Sequence, residues 1–371
     1  MNWKMKSERN WGRLGMKFNR YTLSDLATIK YGKNKKKVFS DSGTVPIFGT
    51  GGLMGFAATS LYDKPSVLIG RKGTIGKVKY VEHPFWTVDT LFYTIINTDL
   101  VIPKYLFYVM SLIDLNKYNE GTTIPSLRTE TLNRLEFDIP NLEEQRKILS
   151  CLNPIDKKIE LNNAINNNLL QQSEALFKKR FLSCNELPFG WARMALGDIS
   201  DMSAGGDKPQ IISNQKTEEH QYPVYSNGIS DEGLYGFTTD YKISAESVTV
   251  SARGTIGFVC LRHIPYTPIV RLVTLVPHTN IVSAKYLYLW LKSVPIHGTG
   301  TTQQQLTVPD FRKTEILIPP KADMREFTET VNSLFQQVWA NQEENTKLAD
   351  IRDTLLPRLM SGELDVSSIE I

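Results

Sequence analysis

The sequence predicts an α/β (α+β) fold made twice. Two similar mixed units are each followed by a long helix, and the two helices lie antiparallel as a coiled-coil pair, giving a nearly two-fold symmetric whole. Three observations in the 371-residue chain carry that expectation. Apolar residues recur at alternating steps of four and three over two long segments. The second segment repeats the first 179 positions on (327 − 148). Outside the long segments, short β-rich runs are punctuated by Gly, Asn, Ser and Asp.

The first long segment, Leu142 to Phe181, sets Ile148, Leu152, Ile155, Ile159, Asn162, Asn166, Leu169, Ser173 and Leu176 on one face. That is the period of a helix packed along another helix. The matching positions are Phe327, Val331, Leu334, Val338, Asn341, Asn345, Leu348, Arg352 and Leu355, so that apolar falls on apolar and both asparagines fall on asparagines. In an antiparallel pair, residues whose numbers sum to about 507 face each other. Asn162 then meets Asn345, Asn166 meets Asn341, and Leu152 meets Leu355. Buried asparagines at such positions fix register at a cost in stability; the alternative is a seam that drifts and leaves them in solvent. The acidic residues of LEEQRK (Leu142 to Lys147) suit a first helical turn. Pro154 follows Asn153 and either restarts the first helix or kinks it. Asn332 and Ser333 at the equivalent positions favour a helix that runs through. Pro357 should bend or end the second helix.

The repeat extends through the rest of the chain. TLSDLATIKYG (Thr22 to Gly32) aligns with ALGDISDMSAG (Ala195 to Gly205), and SVLIGRKGTIGKV (Ser66 to Val78) with SVTVSARGTIGFV (Ser247 to Val259). VPIFGTGGLMGF (Val45 to Phe56) aligns with YPVYSNGISDEGLYGF (Tyr222 to Phe237), which carries four extra residues (16 − 12). PKYLFYVM (Pro103 to Met110) matches AKYLYLWL (Ala284 to Leu291), GTTIPSL (Gly121 to Leu127) matches GTTQQQL (Gly300 to Leu306), and LEFDIP (Leu135 to Pro140) matches TEILIP (Thr314 to Pro319). Strands are expected at Val67 to Ile69, Val78 to Val81, Leu91 to Ile96 and Leu135 to Ile139. Their counterparts are Val248 to Val250, Phe258 to Leu261, Val270 to Val276 and Glu315 to Ile318. Helices are expected at Pro103 to Ile113 and Ala284 to Leu291. The mixture suggests a curved, mainly antiparallel sheet in each unit. The resulting division is an N-terminal extension (1–17), a first unit (18–140), a first helix (141–184), a second unit (185–319), and a second helix with a C-terminal tail (320–371).

Composition limits the function classes. No run of eighteen apolar residues exists, so no membrane span is expected. The N-terminus is basic without an apolar core, unlike a secretory signal. Cys151, Cys184 and Cys260 form no close pair, which argues against disulfides and thiolate zinc and suits a reducing cytoplasm. The net charge of +4 permits a polyanion without demanding one. No metal-ligand spacing joins the five histidines, and no nucleophile–base pattern has a recognisable context. The KGTIGK run lacks the glycine and the hydroxyl residue of a phosphate loop, with Arg71 and Val78 in their places. In GTGGLMG, Met54 stands where a dinucleotide fingerprint needs glycine. No catalytic residue and no metal site is assigned.

The residues left for binding lie in loops. RKGTIG and ARGTIG read as tight turns between strands, presenting Arg71, Lys72 and Thr74, or Arg253 and Thr255, at a tip. KNKKK offers Lys33, Lys35 and Lys36 as an electrostatic footprint on DNA. The second copy is richer in amides, with Lys208, Asn214 and Lys216, and with Asn227 in its SNG turn. Thr122, Thr123 and Arg128, and in the second copy Thr301, Thr302 and Gln303, form a further polar loop. Amides suit adenine and arginine suits guanine, so the two units would read different bases. Solvated surface loops are the alternative for every one of these.

With these strings in place, the chain resembles the specificity subunit of type I restriction–modification systems from about Tyr21 to Leu364. The strings are RKGTIG and ARGTIG, IPNLEEQRKI (Ile139 to Ile148), KIELNNAINNNL (Lys158 to Leu169) and RDTLLPRLMSGEL (Arg352 to Leu364). The resemblance implies two target recognition domains, each reading half of a split double-stranded DNA sequence. It implies helices that space the domains and dock two modification (methyltransferase) subunits, with restriction subunits (ATP-dependent translocase/endonuclease) beyond. S-adenosylmethionine, ATP and Mg2+ would belong to those partners, with no cofactor in this chain. Asn153-Pro154-Ile155 is not a methyltransferase motif. A complex that cuts at fixed positions, or a rod-like adaptor between proteins, remains the alternative.

Overall fold

The structure is a computed structural model and describes residues 16–182, 189–298, 304–366 and 368–369. Nearly all of the N-terminal extension, Cys184, the start of the second unit at Pro188, and Thr301, Thr302 and Gln303 lie outside the described residues. Two compact units emerge, one of Met1–Leu161 with Glu344–Ile371 and one of Asn162–Glu343. Each long helix therefore contributes one part to each unit.

In the first unit the order is β1 (Phe18–Thr22), α1 (Leu23–Leu26), β2 (Ala27–Tyr31), β3 (Val45–Gly49), β4 (Gly52–Ala57), β5 (Ser66–Gly70), β6 (Val78–Val81), β7 (Trp86–Thr87), β8 (Leu91–Ile96), α2 (Pro103–Ser111), α3 (Thr129–Asn133) and β9 (Glu136–Pro140). The long helix α4 (Leu142–Phe177) follows. The strands form three sheets: β2-β8-β5-β6, β4-β3-β7 and the ribbon β1-β9. Only one curved sheet was expected, and the β3–β7 pairing is parallel. The two-residue β7 is too short to show any sequence period, so this sheet had no signal.

The second unit repeats the plan. It holds β10 (Ala192–Ala195), α5 (Leu196–Ile199), β11 (Ser200–Ala204), β12 (Tyr222–Tyr225), β13 (Leu234–Thr238), β14 (Ser247–Ser251), β15 (Val259–Arg262), β16 (Thr267–Pro268), β17 (Leu272–Pro277), α6 (Ala284–Ser293), α7 (Val308–Phe311) and β18 (Glu315–Ile318). The helix α8 (Lys321–Met360) follows. Its sheets, β11-β17-β14-β15, β13-β12-β16 and β10-β18, match those of the first unit strand for strand. The strand expected from Val270 starts only at Leu272, because Arg271 has φ +73° and breaks the extended backbone.

Helix α4 begins where Asn141 accepts the Glu144 N–H at 3.0 Å, satisfying one of the orphan donors of the first turn. Gln145 is buried just inside it. Its amide donates to Leu100 O and Pro140 O and accepts from Ile102 N–H, which ties the helix start to the first unit. The helix then runs through Pro154 without restarting. Helix α8 likewise continues past Pro357 and ends before Gly362, a residue with φ +72°.

Ile148 and Leu152 enter the core of the first unit with Leu356, Leu359 and Met360. Leu355 packs against that core half-buried, beside the fully buried Leu356. In the second unit Asn341 donates its amide to Asn166 Oδ1 at 2.8 Å and, further along, Arg180 donates to Glu326 at 2.7 Å, so those two helix stretches run antiparallel in the expected register. Asn162, Val331 and Val338 are buried. Ile155, Ile159, Leu169, Leu334, Asn345 and Leu348 are half-buried. Leu176 departs from the expected seam: it is 38 % exposed, whereas Phe177 is 1 % exposed. A straight helix drifts from a seven-residue repeat, and the step to Phe177 and Phe181 brings large rings against Phe327 and Tyr286.

Candidate nucleic-acid interface

In the first unit, four connections are stitched together at one end. Trp86 Nε1 donates to Lys33 O at 2.9 Å, and Lys33 N–H donates to Thr87 O. Arg71 N–H donates to Thr90 O, and its Nη1 donates to Asp89 O at 2.8 Å. The Arg71 guanidinium lies 5.1 Å from the ring centre of Tyr31, which is half exposed. Gly73, with φ +85°, donates to Pro125 O, and Leu127 N–H donates to Arg71 O. The Lys33 loop, the Arg71 loop and the polar loop of Thr122 and Thr123 thus share a face. Lys36, Lys72, Thr74, Thr122 and Thr123 are exposed on it. Gly32 sits where a Cβ would come within 2.0 Å of Val88 O, so the chain can pass only as glycine.

One expectation changes here. RKGTIG is not a tight turn between two strands. It is a broad loop between β5 and β6, held open by its backbone bonds to the segment ending at Leu127. Arg128 also has a local partner, because its Nε lies 3.1 Å from Glu120. Lys35 folds over Phe39 at 5.4 Å and reaches Met54 O at 3.4 Å, along the sheet β4-β3-β7.

In the second unit, Asn227 laces the ARGTIG loop. Its amide donates to Arg253 O at 2.6 Å, and its carbonyl accepts from the Thr255 and Ser251 hydroxyls. Asn227 and Thr255 therefore help to hold the loop that carries Arg253. Lys208 lies 5.2 Å from the Tyr235 ring centre and donates to its hydroxyl. Asn214 and Lys216 are exposed on a separate segment, whose Ser213 pairs with Phe237 along β13.

Sequence reasoning passed over Tyr31 and Arg271. The alignment puts Ala252 opposite Arg71, and Ala252 N–H donates to Arg271 O as Arg71 N–H donates to Thr90 O. Arg271 thus brings a guanidinium to this end of the second unit from the neighbouring connection. It is exposed, and among the described residues its side chain makes no hydrogen bond or ion pair. The signal was the missing arginine at Ala252, but its replacement was not readable from spacing. Among the described residues no group of three or more His, Cys, Asp or Glu could hold a metal ion, and no helix is long and apolar enough to cross a membrane.

One mixed fold, present twice in a chain and ending each time in laced polar loops, defines a duplicated recognition scaffold. The model of the type I restriction modification DNA specificity domain matches residues 16–171 and again residues 188–349, and the chain belongs to that family. A putative type I specificity subunit of Mycoplasma pneumoniae is 26 % identical over 336 residues, covering 88 % of this chain and 91 % of that one. The MjaIX specificity subunit, from a type I restriction enzyme of Methanocaldococcus jannaschii, is 26 % identical over 353 residues, covering 83 % and 80 %. The crystal structure of a type I restriction–modification S subunit from M. genitalium shares the fold. Its TM-score is 0.53 at 20 % identity, over 93 % of this chain and 96 % of that one.

Proposed function

We propose that the chain is the non-catalytic DNA-recognition subunit of a type I restriction–modification complex, acting in the cytoplasm. Residues 18–140 and 185–319 are its recognition domains, and each reads one half of an asymmetric, bipartite target. The helices within 141–184 and 320–371 space the domains and dock two modification subunits. About 40 helical residues span roughly 60 Å, enough to set two readers about one DNA turn (~34–36 Å) apart or more. S-adenosylmethionine, ATP and Mg2+ serve the modification and restriction subunits. This chain carries none of that chemistry.

One observation supports the reading most directly. The two units keep the same strand order while changing side chains at matched loop and strand-end positions. Thr50 becomes Asn227, Arg71 becomes Ala252, Thr90 becomes Arg271, and Tyr31 becomes Ala204. A conserved frame with different contact groups suits two unlike half-sites. Lys33, Lys35, Lys36, Lys72, Lys208 and Lys216 fit phosphate contact, while Arg71, Arg253, Asn214 and the threonines of the polar loops fit phosphate or base contact.

Selection from a random duplex pool, with the methyltransferase subunits present, tests this. The expected product is one split sequence with a fixed unread gap. Failure to enrich any such sequence would leave the protein adaptor. Arg71→Ala and Arg253→Ala should each weaken binding by about 1–3 kcal/mol if the arginine reads a guanine, and unchanged affinity in both would remove that assignment.

A further inference from the structure

The connection between β12 and β13, Ser226 to Gly233, stands in place of Gly49 to Gly52 of the first unit and is four residues longer (8 − 4). Asp231 and Glu232 both adopt left-handed backbone, at φ +49° and +53°. With Arg271, they are the only non-glycine residues at positive φ among the described residues. Such conformations persist where the surroundings over-determine them, and they cluster at functional sites.

What fixes the loop is a change in the core beneath it. In the first unit Phe48, Leu68, Val81 and Tyr93 belong to one apolar cluster. The matched residues in the second unit are Tyr225, Thr249, Arg262 and Thr274. Arg262 pairs with Ser247 in the sheet, as Val81 pairs with Ser66. Its side chain is 2 % exposed. Its Nε donates to Thr249 Oγ1 at 3.0 Å, its Nη1 to Glu232 Oε2 at 3.2 Å and its Nη2 to Glu232 O at 2.6 Å. The guanidinium also lies 3.7 Å from the Tyr225 ring centre. A buried guanidinium is costly unless it is paired, and its carboxylate partner comes from the inserted loop. At its root the loop joins the Arg253 loop through Asn227. On its outside Ile229, 57 % exposed, and Asp231 stand free of the sheet.

We infer that Ser226 to Gly233 is a specificity element of the second unit alone, in which the Arg262 clamp presents Ile229 and Asp231 to one base pair of the second half-site. This rests on the function proposed above. A carboxylate only accepts hydrogen bonds, so in the major groove its partners are the cytosine and adenine amines; the acceptor N7 beside the adenine amine repels it, which leaves cytosine favoured. A carboxylate also repels phosphate, so Asp231 serves discrimination rather than general affinity. Arg262 acts as a positioning residue, with no contact to DNA.

The test is methylation of a random duplex library by the complex reconstituted with its modification subunits. With Asp231→Asn, an exposed change, the cytosine preference at one position of the second half-site should fall roughly tenfold. The first half-site should be unaltered. Arg262→Val should broaden the same position, and Arg262→Lys should restore part of the preference. A wild-type bipartite target with base preferences unchanged in Asp231→Asn and Arg262→Val would overturn the loop assignment alone. Absence of any bipartite target for the wild type would overturn both this inference and the reading beneath it.

Discussion

The two units fasten their long helices by different chemistry at matched positions. In the first unit Asp156 is the centre of the joint. It accepts from the Tyr108 hydroxyl and pairs with Lys104 Nζ at 3.0 Å and Arg352 Nη1 at 3.3 Å. In the second unit the residue matching Asp156 is Phe335, which meets Tyr288 edge-on at 5.9 Å and Trp339 at 6.0 Å. Trp339 stacks on His263 at 4.1 Å, with an interplanar angle of 11°. Rings contribute by area and need no partner charge. An ion network is stabilising only while every member is satisfied. The same backbone joint can therefore be apolar and independent of charge, or specific but dependent on charge.

The strongest way to break the comparison is Phe327→Ala in the second unit. That ring is buried against Phe177, Phe181 and Tyr286, and its loss should destabilise the unit by about 3–5 kcal/mol in denaturant melts. Next comes Asp156→Ala, which leaves Lys104 and Arg352 facing each other without their carboxylate. Both cations are 21–29 % exposed, so the cost should be about 2–3 kcal/mol, below the range for a fully buried pair. Asn341→Leu alone strands Asn166 and should cost about 1–2 kcal/mol. The double change Asn166→Leu/Asn341→Leu should recover that loss in the same melts.

The smallest effects are in pH, and they sharpen the contrast. Burial raises the Asp156 pKa, but hydrogen bonds from Tyr108, Lys104 and Arg352, together with the Lys104 charge, outweigh it and hold the group below 3.8. Its contribution is full above that value and fades as pH falls through the folded pKa. Burial of His263 against Trp339, then the charges of Lys285 and Arg262, push its imidazole down to about 4 from 6.5. Since the unfolded state binds the proton first, stability in the second unit should fall as pH drops from 6.5 to about 4 and then level. The effect is modest because His263 is an exposed residue. Histidine NMR titration should show the low value, and in Trp339→Ala a return toward 6.5.

Much of this was readable from residues alone. The duplication, the helix pairing and the central strands followed from period and repetition, because long elements accumulate signal. Shorter features had none to accumulate. The parallel pairs at Trp86 and Thr267 are two residues long. The positive φ of Arg271 contradicts what an arginine ordinarily adopts. Leu176 was placed inside by counting, but the larger neighbouring ring of Phe177 took the buried position. At the candidate site, exposed lysines and arginines were legible as charge. The roles of Asn227 and Thr255 in holding a backbone were not, since a side-chain amide or hydroxyl looks the same whether it faces a ligand or its own chain.

The amide bond between Asn166 and Asn341 has a consequence for how such a protein can change. Sliding one strand of the pair by seven residues would set Asn166 against Leu334, trading a polar contact for a stranded amide. The pair therefore behaves like a ratchet with one stable notch. A change of length that keeps this contact needs matched insertions in both helices, so that Asn166 still meets Asn341.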